Sequence, residues 1–280
     1  MNELEKTKVF KHNGRRDTII SEKNVLIGQG YFTVFAGPCA VENIEVALQT
    51  AKAVEKAGAS IFRSSLFKPR TSPYSYQGFG LEGIEILRTI RRETSLLLET
   101  EILTIDQLNM LADEVDILRV GSRNMDNYEL LKEVGKTQKP IILKRNMSAT
   151  LQEFLLAAEY ILSVGNERVI LCERGIRTFE TYTRNTLDIL AVPSLKELTH
   201  LPVIVDPSHS TGKSSLVPAA SRAAIAAGAD GLLIEVHPDP SKAYSDGQQS
   251  LDITSFEKLM KELFELAKVL NKRTYSPVPA

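Results

Sequence analysis

Four side chains in the last third of the chain are of types that hold metal ions or move protons: His209, Glu235, His237 and Asp246. The first three follow two short apolar runs, Val203–Val205 and Leu232–Ile234, that stop abruptly at polar residues. The first run ends at Asp206, Ser208 and His209, the second at Glu235 and His237. In parallel α/β sheets, ligands and chemistry gather at the carboxyl ends of the strands. Imidazole plus carboxylates is a transition-metal set short of one ligand, and Cys39 in GPCAVE is of a type that could complete it. The candidates Cys39, His209, Glu235 and Asp246 are not local in sequence, so residue type leaves two readings open: a metal site, or ordinary packing, loop and turn roles. His237 reads as a spare behind the ligands or facing a substrate. His12 and His200 fall off this rim, and Cys172 reads as a buried, inert thiol.

A second group is basic. Arg63, Lys68, Arg70, Arg123, Lys144 and Arg174 each lie at or just after an apolar run. Arginine forks bind phosphate or carboxylate oxygens in pairs, and lysine adds a point charge. If they converge, they describe one or two substrates carrying several negative charges. The alternative is that each is a solvated rim charge or pairs with Glu99, Glu173 or Asp206.

What must position these groups is a strand–helix beat. Strands are expected at 31–36, 60–64, 96–100, 117–120, 140–143, 168–171, 201–205 and 231–234. Helices are expected at 45–57, 83–94, 105–112, 127–134, 151–164, 219–227 and 255–270, with a shorter one near 185–190. Eight repeats over a chain of this length predict a (β/α)8 TIM barrel, with all the rim residues in one cup. A doubly wound open sheet is the alternative, but no Gly-rich dinucleotide turn follows the first strand. Residues 18–20 and 25–27 read as a short hairpin. The expected organisation is an N-terminal extension over 1–30, a barrel over 31–271 and a frayed tail over 272–280.

The chain has 280 residues, 43% hydrophobic and 25% charged, with net charge −1 and pI near 6.5. That balance argues against a nucleic-acid or anionic-membrane partner. There is no leader-like start and no apolar run of spanning length. Two distant cysteines make no disulfide framework, and the expected location is the cytoplasm.

Seven ordered motifs add a resemblance: GPCAVE (37–42), KPRTSPYSYQG (68–78), GSRNMDN (121–127), LKRNM (143–147), CERGIRTFE (172–180), DPSHSTGK (206–213) and EVHPDP (235–240). Together they resemble the 3-deoxy-D-arabino-heptulosonate 7-phosphate (DAHP) synthases, beta subgroup of type I, from about residue 17 to about residue 271. The sister family of 3-deoxy-D-manno-octulosonate 8-phosphate (KDO8P) synthases usually carries KANRS where this chain has Lys68-Pro69-Arg70-Thr71-Ser72. The resemblance implies condensation of phosphoenolpyruvate with erythrose 4-phosphate, releasing phosphate, at the entry to aromatic amino-acid synthesis. It implies Cys39, His209, Glu235 and Asp246 as ligands of one divalent ion (Mn2+, Fe2+, Zn2+ or Co2+). Around phosphoenolpyruvate it implies Arg63, Ser122, Arg123, Lys144 and Arg174; around the aldose phosphate, Lys68, Pro69, Arg70, Thr71 and Ser72. Lys144, Cys39 and His209 stand closest to the chemistry, and a dimer or tetramer is the expected assembly. The resemblance also leads us to expect a bare barrel without a fused regulatory domain. Three departures stand out: Ser64-Ser65 where glycines are common, Arg119 for a usual Gln, and Asn146 for a frequent Gly. Arg119 either adds a cation to the cup or pairs with a neighbouring carboxylate. A metal-dependent aldolase and a non-catalytic barrel that binds phosphometabolites are the remaining rivals.

Overall fold

The computed structural model describes residues 3–70 and 72–275. A hairpin, β1 (Ile19–Glu22) and β2 (Val25–Gly28), pairs antiparallel with Glu22 opposite Val25. The alternation then runs β3 (Tyr31–Gly37), α1 (Ile44–Lys56), β4 (Ile61–Arg63), α2 (Ile84–Glu93), β5 (Leu97–Glu101) and α3 (Ile105–Leu111). It continues through β6 (Ile117–Val120), α4 (Tyr128–Lys136), β7 (Ile141–Lys144), α5 (Leu151–Ser163), β8 (Val169–Glu173) and α6 (Ala191–Leu198). Last come β9 (Val203–Val205), the five-residue α7 (Pro207–Thr211), α8 (Val217–Ala226), β10 (Gly231–Glu235), α9 (Ile253–Val269) and β11 (Arg273–Thr274). Strands β3 to β10 pair in parallel in sequence order, and β10 pairs back onto β3, closing an eight-stranded barrel. The open-sheet alternative is thereby excluded.

Side chains on a strand alternate between its faces. Outward residues such as Val34, Phe62, Leu98, Leu118, Leu143, Leu171, Val205 and Ile234 pack in one core with the helices. Inward, each strand gives one apolar residue to a lower layer: Phe35, Ile61, Leu97, Ile117, Ile142, Ile170, Ile204 and Leu233. Ile20, Val25 and Ile27 of the hairpin join that layer and seal the barrel from below. Two residues further along each strand, still facing inward by the period of two, stand Gly37, Arg63, Glu99, Arg119, Lys144, Cys172, Asp206 and Glu235. The barrel interior is therefore greasy below and charged above.

Two differences from the sequence reading concern boundaries. The short helix expected near 185–190 lies later, at Ala191–Leu198, because Asn185 and Thr186 are held in backbone pairings with Ser210 and Ile176. The expected frayed tail is ordered at its start: Arg273 and Thr274 pair with Tyr31 and Phe32 of β3, and Lys272 reaches buried Asp230. Residues 276–280 lie outside the described residues.

Asp116, just before β6, ties the hairpin to the barrel. It accepts from the Leu98 N–H at 2.8 Å and from Arg91 at 3.1 Å, and meets Lys23 of the hairpin turn at 2.8 Å. Burial would raise its pKa, but the Leu98 N–H, Lys23 and Arg91 outweigh that and hold it below the ordinary aspartate value. Such a group contributes stability that is fully present above its unfolded value of about 3.9 and lost as pH falls through the folded value. Asp116→Ala is expected to cost about 2 kcal/mol near neutral pH. The gap in urea midpoint between wild type and variant should shrink as pH drops from about 5 to about 2.

Candidate active site

The charged inner layer is organised as ion pairs. Arg63 Nη1 meets Glu235 Oε1 at 3.0 Å, Arg119 Nε donates to Glu99 Oε1 at 2.7 Å, and Lys144 Nζ donates to Asp206 Oδ2 at 2.5 Å. Above it opens a cup lined by eight cationic side chains, Lys68, Arg70, Arg119, Arg123, Lys144, Arg174, Arg177 and Arg184, against the carboxylates Glu101 and Asp246. Pro69, Ser72, Ser122 and His209 complete the wall among the residues expected from sequence, whereas Thr71 lies outside the described residues. Arg63 is placed differently from the expectation. It is fully buried beneath the cup, its Nη1 shared between Pro38 O and Glu235, and it does not line the wall.

Three of the four expected metal ligands group together, and the fourth, His209, stands beside two of them. One donor atom each from Cys39, Glu235 and Asp246 lies within 4.8 Å of the others. Cys39 Sγ stands 3.1 Å from Asp246 Oδ2. His209 Nε2 is 3.5 Å from Glu235 Oε1 and 3.9 Å from Asp246 Oδ2. Local structure explains the aim of each. Asp206 caps α7 by accepting from the His209 N–H at 2.8 Å, Pro207 starts the helix, and His209 is its third residue. The Glu235 N–H donates to Ser208 Oγ at 3.0 Å, tying β10 to α7. Asp246 adopts a left-handed backbone (φ 56°) at the head of a 3-10 turn and makes no cap bond there, which leaves its carboxylate for Cys39. His237 faces away, 3.3 Å from Glu42, whose other oxygen accepts from the Tyr244 N–H.

The electrostatics suit a cation. Burial, opposed by Asp206 and Glu235, drops His209 to about 4, so its imidazole is neutral and carries a lone pair. Its Nδ1 lies 2.8 Å from Asp206 Oδ2, without the alignment of a hydrogen bond. Burial, then Glu235, pushes the Cys39 thiol up to about 12. Asp246, against its burial, is held low by His209, Lys68 and Arg184, and Glu235 by His209 and Arg63. Donors of Cys39, Glu235 and Asp246 cluster, His209 Nε2 lies beside the two carboxylates, and a set of sulfur, nitrogen and carboxylate donors is relieved by a divalent ion. The donors fit the metal the resemblance implies.

Arg119 does both of the things the sequence left open, lining the cup and pairing with neighbouring carboxylates. Besides Glu99 it donates to Glu101 Oε2 at 3.0 Å and to Ser65 Oγ at 2.8 Å, so the Arg119 and Ser65 departures are a single contact. Asn146 donates to Asp126 at 3.0 Å across neighbouring loops. Glu101 is wedged against Gly121, where an added Cβ would stand 2.0 Å from Glu101 Oε1. Gly121→Ala is expected to push Glu101 off Arg119 and to cost about 1–3 kcal/mol, read as a lower thermal midpoint. An unchanged midpoint would mean that Glu101 moves aside freely.

Arg177, Arg184 and Asn185 were not singled out from sequence. They belong to the irregular stretch after β8, where no periodicity marks function. Arg177 falls inside the CERGIRTFE motif, whereas the signal that could have found Arg184 and Asn185 is position alone: a long charged loop on the carboxyl end of a barrel strand.

A family model described as the DAHP synthetase I family matches residues 17–272. The chain belongs to the DAHP synthetase I family. A phospho-2-dehydro-3-deoxyheptonate aldolase of Thermotoga maritima is 51% identical over 254 residues, covering 91% of this chain and 75% of that protein. A 2-dehydro-3-deoxyphosphooctonate aldolase of Syntrophobacter fumaroxidans is 32% identical over 262 residues, covering 87% and 90%. The crystal structure of a Thermotoga maritima DAHP synthase superposes with a TM-score of 0.93 at 48% identity, covering 96% of this chain and 79% of that one. A truncated form of the enzyme from Thermotoga maritima gives 0.89 at 45%, covering 95% and 98%. Within the family, these relationships give the chain the function of a DAHP synthase, with the octonate aldolases more distant. No described helix is long and apolar enough to cross a membrane.

Proposed function

We propose that the cup joins C3 of phosphoenolpyruvate to the aldehyde carbon of erythrose 4-phosphate, while water adds at C2 and the C2–O bond to phosphate breaks. The products are DAHP and inorganic phosphate. The observation that carries this reading is the meeting, in one barrel mouth, of a cation-rich wall with a sulfur, nitrogen and carboxylate donor set. Two phosphorylated anions repel strongly in a water-poor site unless cations offset them. Cys39, His209, Glu235 and Asp246 would hold one divalent ion, Mn2+, Fe2+, Zn2+ or Co2+, which when bound supplies Lewis-acid polarisation of a carbonyl oxygen.

The protein's own groups take the remaining roles. Arg123, Lys144 and Arg174, with Ser122, bind phosphoenolpyruvate, and Lys68, Pro69, Arg70 and Ser72 bind the aldose phosphate, with Thr71 assigned from the resemblance. Arg63 acts from beneath by fixing Glu235. Lys144 is the proton donor: burial, reinforced by Arg119 and Arg174 against Asp206, pulls its amine below the ordinary lysine value and eases release of the proton at Nζ. We place the enzyme in the cytoplasm as a dimer or tetramer.

The test treats the purified chain with a chelator, restores single metals, and follows phosphate release from phosphoenolpyruvate with erythrose 4-phosphate or arabinose 5-phosphate. Metal-restored release with the four-carbon sugar is expected. Preference for the five-carbon sugar would make the chain a KDO8P synthase. No release from folded protein would leave a binding barrel.

A further inference from the structure

We propose that Arg184 is a positioning residue that couples the metal-ligand cluster to the anion-binding wall of the cup. The inference rests on the proposed function and adds to it a link between its two halves. Arg184 Nη1 donates to Gln249 Oε1 at 2.9 Å and reaches Asp246 Oδ1 at 3.4 Å. Gln249 is buried, and its Nε2 donates to Glu235 Oε2 at 2.6 Å. A cation thus faces the amide oxygen and a carboxylate the amide nitrogen, which fixes the orientation of Gln249. One guanidinium thereby steadies two of the four expected ligands, Asp246 directly and Glu235 through an amide.

The neighbouring residue turns to the other side. Asn185 Oδ1 accepts from Arg174 Nη1 at 2.5 Å, and Arg174 Nη2 donates to the His209 carbonyl at 3.3 Å. The backbone holding both residues is pinned to α7, with Arg184 N–H to Thr211 O at 3.1 Å and Asn185 N–H to Ser210 O at 2.8 Å. Gly212, in the left-handed region at φ 68°, lets this segment approach, since an added Cβ would stand 2.5 Å from Arg184 Cβ.

The coupling follows from charge. The Arg184 cation beside Asp246 opposes a second cation bound at the same carboxylate. An anion held by Arg174 and Arg184 offsets that charge and, through the shared backbone, sets Gln249 and Asp246 in their binding positions. Anion binding should therefore tighten the metal, and by linkage the metal should tighten the anion equally.

The experiment measures Mn2+ affinity by competition with a chromophoric chelator, with and without phosphoenolpyruvate, and in parallel with inorganic phosphate. It compares wild type, Arg184→Ala, Arg184→Lys and Gln249→Ala, each checked for folding by thermal melt. In wild type, phosphoenolpyruvate should tighten Mn2+ by about 5- to 150-fold, the usual span of such couplings. Arg184→Ala should reduce that ratio at least about fivefold, Gln249→Ala should follow it without removing a cup charge, and Arg184→Lys should recover part of it. A ratio in folded Arg184→Ala within about twofold of wild type overturns the proposal, as does a wild type that shows no coupling with either anion. A wild type that binds Mn2+ and phosphate with coupling but ignores phosphoenolpyruvate supports the role of Arg184 and removes the substrate assignment instead.

Discussion

Lys144→Met is expected to lower kcat by about 10³-fold or more, because it removes the one amine that sits in the inner layer and faces the cup. The substitution also leaves Asp206 buried without its lysine, so stability must fall too, by about 3–5 kcal/mol if the carboxylate stays charged. The two effects separate in a double variant. Asp206→Asn keeps an oxygen for the His209 N–H and takes away the orphaned charge. Lys144→Met/Asp206→Asn should therefore melt closer to wild type while remaining as inactive as Lys144→Met. Recovery of turnover along with stability would show that Lys144 only holds the barrel together.

The second large effect concerns the metal. With its thiol pushed up to about 12, Cys39 is protonated until a cation takes the place of the proton. His209, held near about 4, is already neutral and releases nothing. Each ion bound should displace one proton, so the logarithm of metal affinity should rise by about one per pH unit between about pH 6 and about pH 9. Cys39→Ala should weaken binding by about 10²-fold or more and flatten that slope. A variant with wild-type affinity and slope would take sulfur out of the ligand set.

The eight-strand barrel was legible because its strands are buried on both faces and mostly read as short apolar runs, and because most of those runs stop at a polar residue. Ile61 and Arg63, or Ile204 and Asp206, show the rule: the same face of a strand is apolar at the bottom and charged at the top. Cys39, His209, Glu235 and Asp246 were legible as residue types at strand ends, and their convergence follows once the sheet closes. Which cation faces substrate and which is consumed internally was not legible. Arg63 and Arg119 look alike in sequence, yet Arg63 lies beneath the wall with its Nη1 on Glu235 and Pro38, whereas Arg119 lines the cup while paired with Glu99, Glu101 and Ser65. Pairing between strands depends on register, which one strand's sequence does not carry. Arg177, Arg184 and Gln249 escaped for another reason: they sit in irregular loops whose shape is set by contacts with α7 and with one another.

The hairpin beneath the barrel bears on the reaction from the far side. A barrel open at both ends would be a conduit, with solvent entering from below to surround the ionic layer. With Ile20, Val25 and Ile27 packed against the lower layer, that end is apolar, and the ionic layer opens toward the cup. A stretch of chain on the side of the barrel opposite the cup thus bars one route by which solvent would reach the ionic layer.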